Sequence, residues 1–326
     1  MNCQVKLIKK TTMVNHSLHV LVFTLFLLCC SSKAMGSIFS VWTRIPEATC
    51  KKPKVILITG ASSGIGKELA LTMARRGHIV YGAARRVEKM MELEQAGGIP
   101  LKLDVTNATL LQEAVDKIIQ EQGKMDVLVN NAGMDFYASV EDSPLQATRH
   151  LFDVNFFGIL DLTQRVLPHM RKAKSGLIVN MSSICGKLHS AFESSYVASK
   201  HALEGWSDCL RVETALFNVQ VVILEPGYIK SDIHEGSVDY TPADSFYKEL
   251  SGACYLHTIG PCQESAHDPS VVAKALIHAV ESGQPRRRYV MGYMGRYIAI
   301  RKWLGDRVYD HFIRSGLNDL LKTSRA

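Results

Sequence analysis

The chain has 326 residues, 47% of them hydrophobic and 21% charged, with 10 prolines and 23 glycines. That composition excludes a collagen-like, low-complexity or disordered protein and is ample for one large α/β core. The net charge of +7 comes from the end of the chain, where ten Lys/Arg face three Asp/Glu from Arg286 onward.

A basic tail of that kind suits an anionic surface, either a membrane or a nucleic acid. The eight cysteines show neither metal-ligand spacing nor a disulfide framework. Most read as reduced fillers, with a Cys254–Cys262 pair, eight apart in a loop region, as the minor alternative.

Residues 1–17 carry Lys6, Lys9 and Lys10 and no acid, and Leu18 to Cys30 is apolar but for His19 and Thr24. With the small residues of Ser32-Lys33-Ala34, residues 1–34 read as a secretory signal peptide or a short N-terminal membrane anchor. The uncharged window Thr11–Ser32 is long enough for a marginal span. The alternative is a leader upstream of a start at Met35, where Met35-Gly36 through Ser40 matches an N-myristoylation pattern. Residues 35–53 are a linker on every reading.

From Lys54 the pattern alternates strand and helix, which predicts a parallel sheet wrapped by helices. Val55-Ile56-Leu57-Ile58 runs into Thr59-Gly60-Ala61-Ser62-Ser63-Gly64-Ile65-Gly66, and apolar residues then recur at helical spacing. A helix N-terminus above a glycine-rich turn favours a phosphate. Gly60 permits the turn, Gly64 clears room for a pyrophosphate, and Gly66 lets helix and strand pack closely.

The second strand, His78–Ala84, ends in Arg85-Arg86 with no acid to receive a ribose 2′-hydroxyl, a pattern that tolerates a 2′-phosphate. The third, Pro100–Leu103, ends at Asp104-Val105, where a carboxylate can accept from an adenine amino group. Thr109-Leu110-Leu111-Gln112 carries a capping-box pattern and opens the next helix. The fourth strand, Asp126–Val129, leads to Asn130-Asn131-Ala132-Gly133, whose amides and small residues suit a backbone touching a flat ring. Ser143-Pro144 caps a long helix in which Asn155 sits among apolar residues and must satisfy its amide, structurally or at a site.

The fifth strand, Leu177–Met181, ends at Ser182-Ser183. Thirteen residues on come Tyr196 and Lys200, four apart and so on one helix face. A nearby ammonium stabilises a phenolate, which suits the tyrosine for acid–base work. The sixth strand, Gln220–Leu224, leads to Pro226-Gly227 and then Ile229 and Ser231, which can hold a carboxamide.

Asp232 to His267 is long for a connector, with one short helix from Thr241-Pro242, and reads as a substrate lid. Asp268-Pro269 caps a helix to Ser282, and Arg287–Met291 is the last strand. The tail reads as a basic amphipathic helical cap, serving as a lid with a solvated face or as a membrane contact.

These motifs together resemble the short-chain dehydrogenase/reductase family over about residues 54–291. The resemblance implies one α/β, doubly wound Rossmann domain with a parallel seven-stranded sheet, residues 292–326 forming the cap. It implies a catalytic tetrad at Asn155, Ser183, Tyr196 and Lys200, and a nicotinamide cofactor. Tyr196 would move the proton, Ser183 hold the carbonyl oxygen, Lys200 bind ribose hydroxyls and lower the Tyr196 pKa, and Asn155 anchor a water. Some NADP-dependent members carry a basic residue just before the second glycine. Here it is Ser63, so NADP(H) selection rests on Arg85 and Arg86.

The run Ser199–Trp206 and the basic tail look most like the hydroxysteroid and retinol dehydrogenase branch. By family position the substrate wall is Met134, Phe136, Tyr137, Leu188 and Phe192 beside Ser183, which suits a lipophilic alcohol or ketone. Two rivals are a 3-oxoacyl thioester reductase and a non-catalytic NADPH-binding scaffold. The resemblance also implies a homo-oligomer, with no nucleic-acid partner. The leader and tail point to the endoplasmic reticulum membrane or the secretory pathway, with the cytoplasm as the alternative. In a lumen, Asn107-Ala108-Thr109 would be an accessible glycosylation sequon, whereas Asn180 falls in a buried strand.

Overall fold

The computed structural model describes residues 52–231, 233, 237–255, 265–292 and 295–324. The expectations for residues 1–34, for most of the linker and for Cys262 lie outside them. Among the described residues the first element is β1 (Val55–Thr59), buried at every position, followed by α1 (Gly64–Arg75), β2 (Ile79–Ala84), α2 (Met91–Gln95), β3 (Ile99–Lys102), α3 (Ala108–Gln122) and β4 (Val127–Asn130). Next come β5 (Phe136–Tyr137), α4 (Leu145–Phe152), α5 (Gly158–Ala173), β6 (Gly176–Met181) and α6 (Ser194–Thr214). The remainder is β7 (Val219–Pro226), β8 (Val238–Asp239), α7 (Lys248–Cys254), α8 (Ser270–Glu281), β9 (Arg288–Met291) and α9 (Arg296–Ser324).

Seven strands form one sheet in the order β3-β2-β1-β4-β6-β7-β9, and every pairing is parallel. Its central strands are apolar on both faces because both faces are covered. On one face Leu111, Val115 and Ile118 of α3 and Leu162, Val166 and Met170 of α5 pack onto Leu57, Tyr81, Leu128 and Ile178. Each such side chain contributes roughly 1.5–3 kcal/mol by leaving water. Helices α1 and α8 pack together elsewhere in the fold.

The strand order reverses between β1 and β4, and a parallel α/β sheet opens a crevice at that point, beyond the carboxyl ends of its strands. Buried amides brace it. Asn130 Nδ2 donates to Thr163 Oγ1 at 3.1 Å and to Asn180 Oδ1 at 2.9 Å, and Asn180 Nδ2 donates to Ser207 Oγ at 2.9 Å. Those bonds tie β4, β6, α5 and α6 into one frame.

Several local expectations need correction. The cap of α3 is Asn107, whose Oδ1 accepts from Leu110 N at 3.1 Å, not Thr109. An Asn two residues before the capping-box pattern already satisfies a free N–H, so the helix starts earlier. The Ser143 hydroxyl donates to Ser139 O rather than capping α4. The helix carrying Asn155 is interrupted by a π-turn over Asp153–Phe157. In the lid the short helix starts at Lys248, not at Thr241-Pro242, because Thr241 N is held by Asp239 Oδ1 at 2.9 Å.

The tail is helical with a break at Gly305, where φ is +78°. Tyr309 is buried, with Tyr297, Ile298 and Ile313 beside it, against Ile184 and Leu188. Trp303, Leu304 and Val308 remain exposed.

Candidate active site

A cleft of about 450 Å³ lies over the carboxyl ends of β1, β2, β3, β4, β6 and β7. At its β1 end Gly60 and Gly64 have φ of +71° and +51°, conformations that favour glycine. A Cβ on Gly66 would lie 2.2 Å from Gly60 O and 2.4 Å from Asn131 Nδ2, so only glycine permits this approach. Ser63 precedes α1 without a side-chain capping bond. The first N–H groups of α1, with Ser62, Ser63 and Ile65, therefore face the cleft as an anion cradle. Gly66 thus lets α1 seat directly on the turn, and the free N–H groups of the cradle fit the diphosphate of a dinucleotide.

The far wall of the cradle is held from β4. Asn131 Nδ2 donates to Thr59 O at 2.9 Å, and the N–H groups of Asn131 and Ala132 both donate to Thr59 Oγ1 at 3.0 Å. Arg85 and Arg86 stand exposed at the mouth, beyond β2. Asp104 Oδ1 accepts from Thr106 N at 2.9 Å and from Thr106 Oγ1 at 2.8 Å. Burial alone would raise this carboxyl, but the Thr106 bonds and the Arg85 and His150 charges hold it below the usual range. Val105, Gly133, Pro226, Gly227, Ile229 and Ser231 complete the lining expected of the cofactor end.

Three of the four expected tetrad residues line the same cleft. Tyr196 and Lys200 sit one turn apart on α6, with Lys200 Nζ 5.6 Å from the Tyr196 ring centroid. The ammonium donates to Met181 O at 2.9 Å, and burial lowers its pKa to about 8. Ser183 Oγ accepts from Cys185 N at 3.1 Å and donates to Pro226 O at 3.4 Å, and it stands beside Tyr196 in the cleft, where it favours the phenolate.

Burial pushes the Tyr196 phenol well above its ordinary value, and Cys185, Asp135 and Glu193 push the same way, against the pull of Ser183. Asn155 is fully buried behind Gly133 and does not line the cleft. Its Oδ1 accepts from Met134 N at 2.9 Å, and its Nδ2 donates to Met134 O at 2.8 Å and to Ser199 Oγ at 3.2 Å. It thus clamps the segment after β4 to α6.

The expected substrate residues are divided among three places. Met134 lines the cleft with Ser183. Tyr137 and Phe192 line a second cavity of about 310 Å³ under the lid, with Ser251, Gly252, Cys254 and Tyr255. Phe136 and Leu188 line neither cavity. Phe136 is buried with Ala138 and Leu151, its ring edge-on to Tyr240 at 5.2 Å, and Leu188 packs under Tyr309.

Sequence reasoning missed Asp135 and Glu193, both 4% exposed, which enter the cleft beside Tyr196. Their only local signal is charge within apolar segments. Ala138 pairs with Glu193 and Ala138 N donates to Phe192 O at 3.0 Å, a contact between distant segments that brings the two acids together. Among the described residues no group of His, Cys, Asp and Glu is placed to hold a metal, and no helix is long and apolar enough to cross a membrane.

Residues 54–240 match the short chain dehydrogenase family. The chain is 34% identical to the 3-ketodihydrosphingosine reductase of Bacteroides thetaiotaomicron, across 81% of this chain and 97% of that one. It is also 34% identical to retinol dehydrogenase 8 of Bos taurus, across 72% of this chain and 81% of that one. Among solved structures, a short-chain dehydrogenase from Streptomyces avermitilis superposes with a TM-score of 0.70 at 32% identity, across 84% of this chain and 98% of that one. With its sheet order, glycine cradle and Tyr196–Lys200 pair, this chain belongs to the short-chain dehydrogenase/reductase family and is an oxidoreductase that works with a nicotinamide cofactor.

Proposed function

We propose that the protein interconverts a lipophilic alcohol and its carbonyl with NADP(H), using Tyr196 as the acid–base. The observation that carries this reading is the convergence of Tyr196, Ser183 and Lys200 at one end of the dinucleotide cleft. When bound, the nicotinamide supplies or accepts the hydride. Tyr196 donates its proton to the carbonyl oxygen, or takes the alcohol proton in reverse. Ser183 fixes that oxygen by a hydrogen bond. Lys200 holds positive charge against the developing phenolate and binds ribose hydroxyls. Asn155 keeps the Met134 segment against α6; we assign it the proton path from Lys200 as well.

The second cavity supports a lipophilic substrate. Tyr137 and Tyr255 meet edge to face with centroids 5.7 Å apart, and Phe192 adds a third ring. An aromatic wall of this kind takes an apolar body while the reacting carbonyl sits at the cleft. The names of two relatives, a 3-ketodihydrosphingosine reductase and a retinol dehydrogenase, agree with such a substrate.

The test is NADPH oxidation by the purified protein with 3-ketodihydrosphingosine, retinal, steroid ketones and 3-oxoacyl thioesters. Turnover of one of the first three is expected. Turnover confined to 3-oxoacyl thioesters would overturn the substrate class, and no turnover with any of them would favour the scaffold.

Glu193 gives a further check. Its charge raises the Tyr196 pKa, and removing a negative neighbour favours the phenolate. Glu193→Gln should therefore move the ascending limb of the pH profile for alcohol oxidation to lower pH. An unmoved limb would show that the titrating base is not Tyr196.

A further inference from the structure

Behind the cleft a second cluster of charge is packed between α6, β7 and β9. Glu204 lies one turn beyond Lys200 on α6, and Glu225 immediately precedes the Pro226-Gly227 turn. They are 3% and 1% exposed. The cations around them converge on one oxygen. Lys187 Nζ lies 2.9 Å from Glu204 Oε2, and Arg288 reaches the same atom with Nε at 3.2 Å and Nη2 at 3.1 Å. Arg288 Nη2 also bonds Asp208 Oδ2 at 2.7 Å, and Asp208 pairs with Arg211 at 2.6 Å.

The other oxygens fare differently. Glu204 Oε1 and Glu225 Oε1 are buried without a donor, although Arg288 Nε lies 3.1 Å from the latter. Arg288 Nε lies 3.2 Å from an oxygen of Glu204 and 3.1 Å from an oxygen of Glu225, which sets the two carboxyls side by side. Ionised carboxylates only accept, so neither can satisfy the other's bare oxygen. One proton between them supplies the missing donor and removes a buried charge.

We propose that Glu204 and Glu225 share one proton at neutral pH, and that this proton fastens the helix bearing Tyr196 and Lys200 to the Pro226-Gly227 turn at the cofactor end of the cleft. Both are positioning residues, and their role rests on the reading of Tyr196 and Lys200 given above. The electrostatics agree. Burial, then the Glu204 charge, push Glu225 up to about 8, against the pull of Arg288 and Lys187. Glu204 also helps keep Lys200 charged.

Glu225→Gln tests this, since the amide keeps the shape and a permanent donor toward Glu204. A carboxyl raised in the folded state stabilises fully below its unfolded value, and that stability is lost as pH rises through the folded value. The wild-type melting temperature should therefore fall relative to E225Q from pH 5 to pH 8, by on the order of 5 °C, and the gap should level off above pH 8. Between pH 7 and pH 9 the NADPH KM of the wild type should rise severalfold against that of E225Q.

A melting gap that does not change between pH 5 and pH 8 would overturn the proposal. The melting arm does not use activity, so it stands or falls separately from the role of Tyr196. Should E225Q not fold, the carboxyl carbon resonances of the isotopically labelled wild type decide. A Glu225 that titrates as an ordinary carboxyl would also overturn the proposal.

Discussion

Tyr196→Phe is expected to lower kcat by at least about 10²–10⁴-fold, the usual contribution of a general acid–base group, while NADPH still binds. The substitution is clean because the ring and the hydroxyl have separate jobs. The ring packs against the cluster of Phe136, Ala138 and Leu151, contacts that Phe retains. The hydroxyl belongs to the cleft, which Ser183 also lines. Burial holds the phenol protonated, so the proton is in place for carbonyl reduction at neutral pH. The variant's NADPH affinity, read by fluorescence, serves as the control for folding. A variant that kept more than roughly a tenth of wild-type turnover would exclude Tyr196 as the acid–base, since loss of the group should cost far more.

The frame of this protein was legible in its sequence because local patterns carried it. The β-branched, apolar run Val55–Ile58, bounded by a glycine turn, suits a strand buried on both faces, and Gly60 and Gly66 of that turn stand where a Cβ has no room. All the residues expected at the cofactor end do line one cleft.

What could not be read depends on contacts between distant segments or on details that periodicity hides. A π-turn leaves a helical pattern almost unchanged, so the insertion at Asp153–Phe157 was invisible, although it is what aims Asn155 at Met134. Phe136 and Leu188 are apolar residues near the reacting end, and sequence cannot say whether such a residue lines a wall or supports it. Asp135 with Glu193, and Glu204 with Glu225, are buried charges from segments distant in the chain, so no local pattern singles them out. The lid helix starts late because Thr241 and Lys248 are tied to Asp239 by hydrogen bonds, an arrangement no helical spacing announces.

Arg85→Asp is expected to lower kcat/KM for NADPH at least about tenfold while the NADH value holds or rises. Arg85 follows the last residue of β2 and stands exposed at the cleft mouth, near enough to Asp104 for their charges to interact. Among the described residues neither Arg85 nor Arg86 is engaged in an ion pair, which leaves both guanidinium groups available to a ligand. A guanidinium makes a bidentate, charge-assisted pair with a phosphate and gains much less from a bare hydroxyl. Hydrogen bonds to charged groups contribute roughly 1.5–3 kcal/mol, so the preference for NADP(H) should be on the order of 10- to 100-fold. Exposure of the site to solvent and salt places it toward the lower end of that range. Arg86 shares the mouth, so replacing Arg85 by a neutral residue should leave part of the preference in place. Aspartate does more, because it adds repulsion against a 2′-phosphate and an acceptor for a 2′-hydroxyl. It also places a second carboxylate beside Asp104, which strengthens the repulsion. Steady-state kinetics with both cofactors, at one ionic strength, give the ratio directly. A wild type that used NADH better than NADPH, or an R85D variant with an unchanged ratio, would remove Arg85 from cofactor choice.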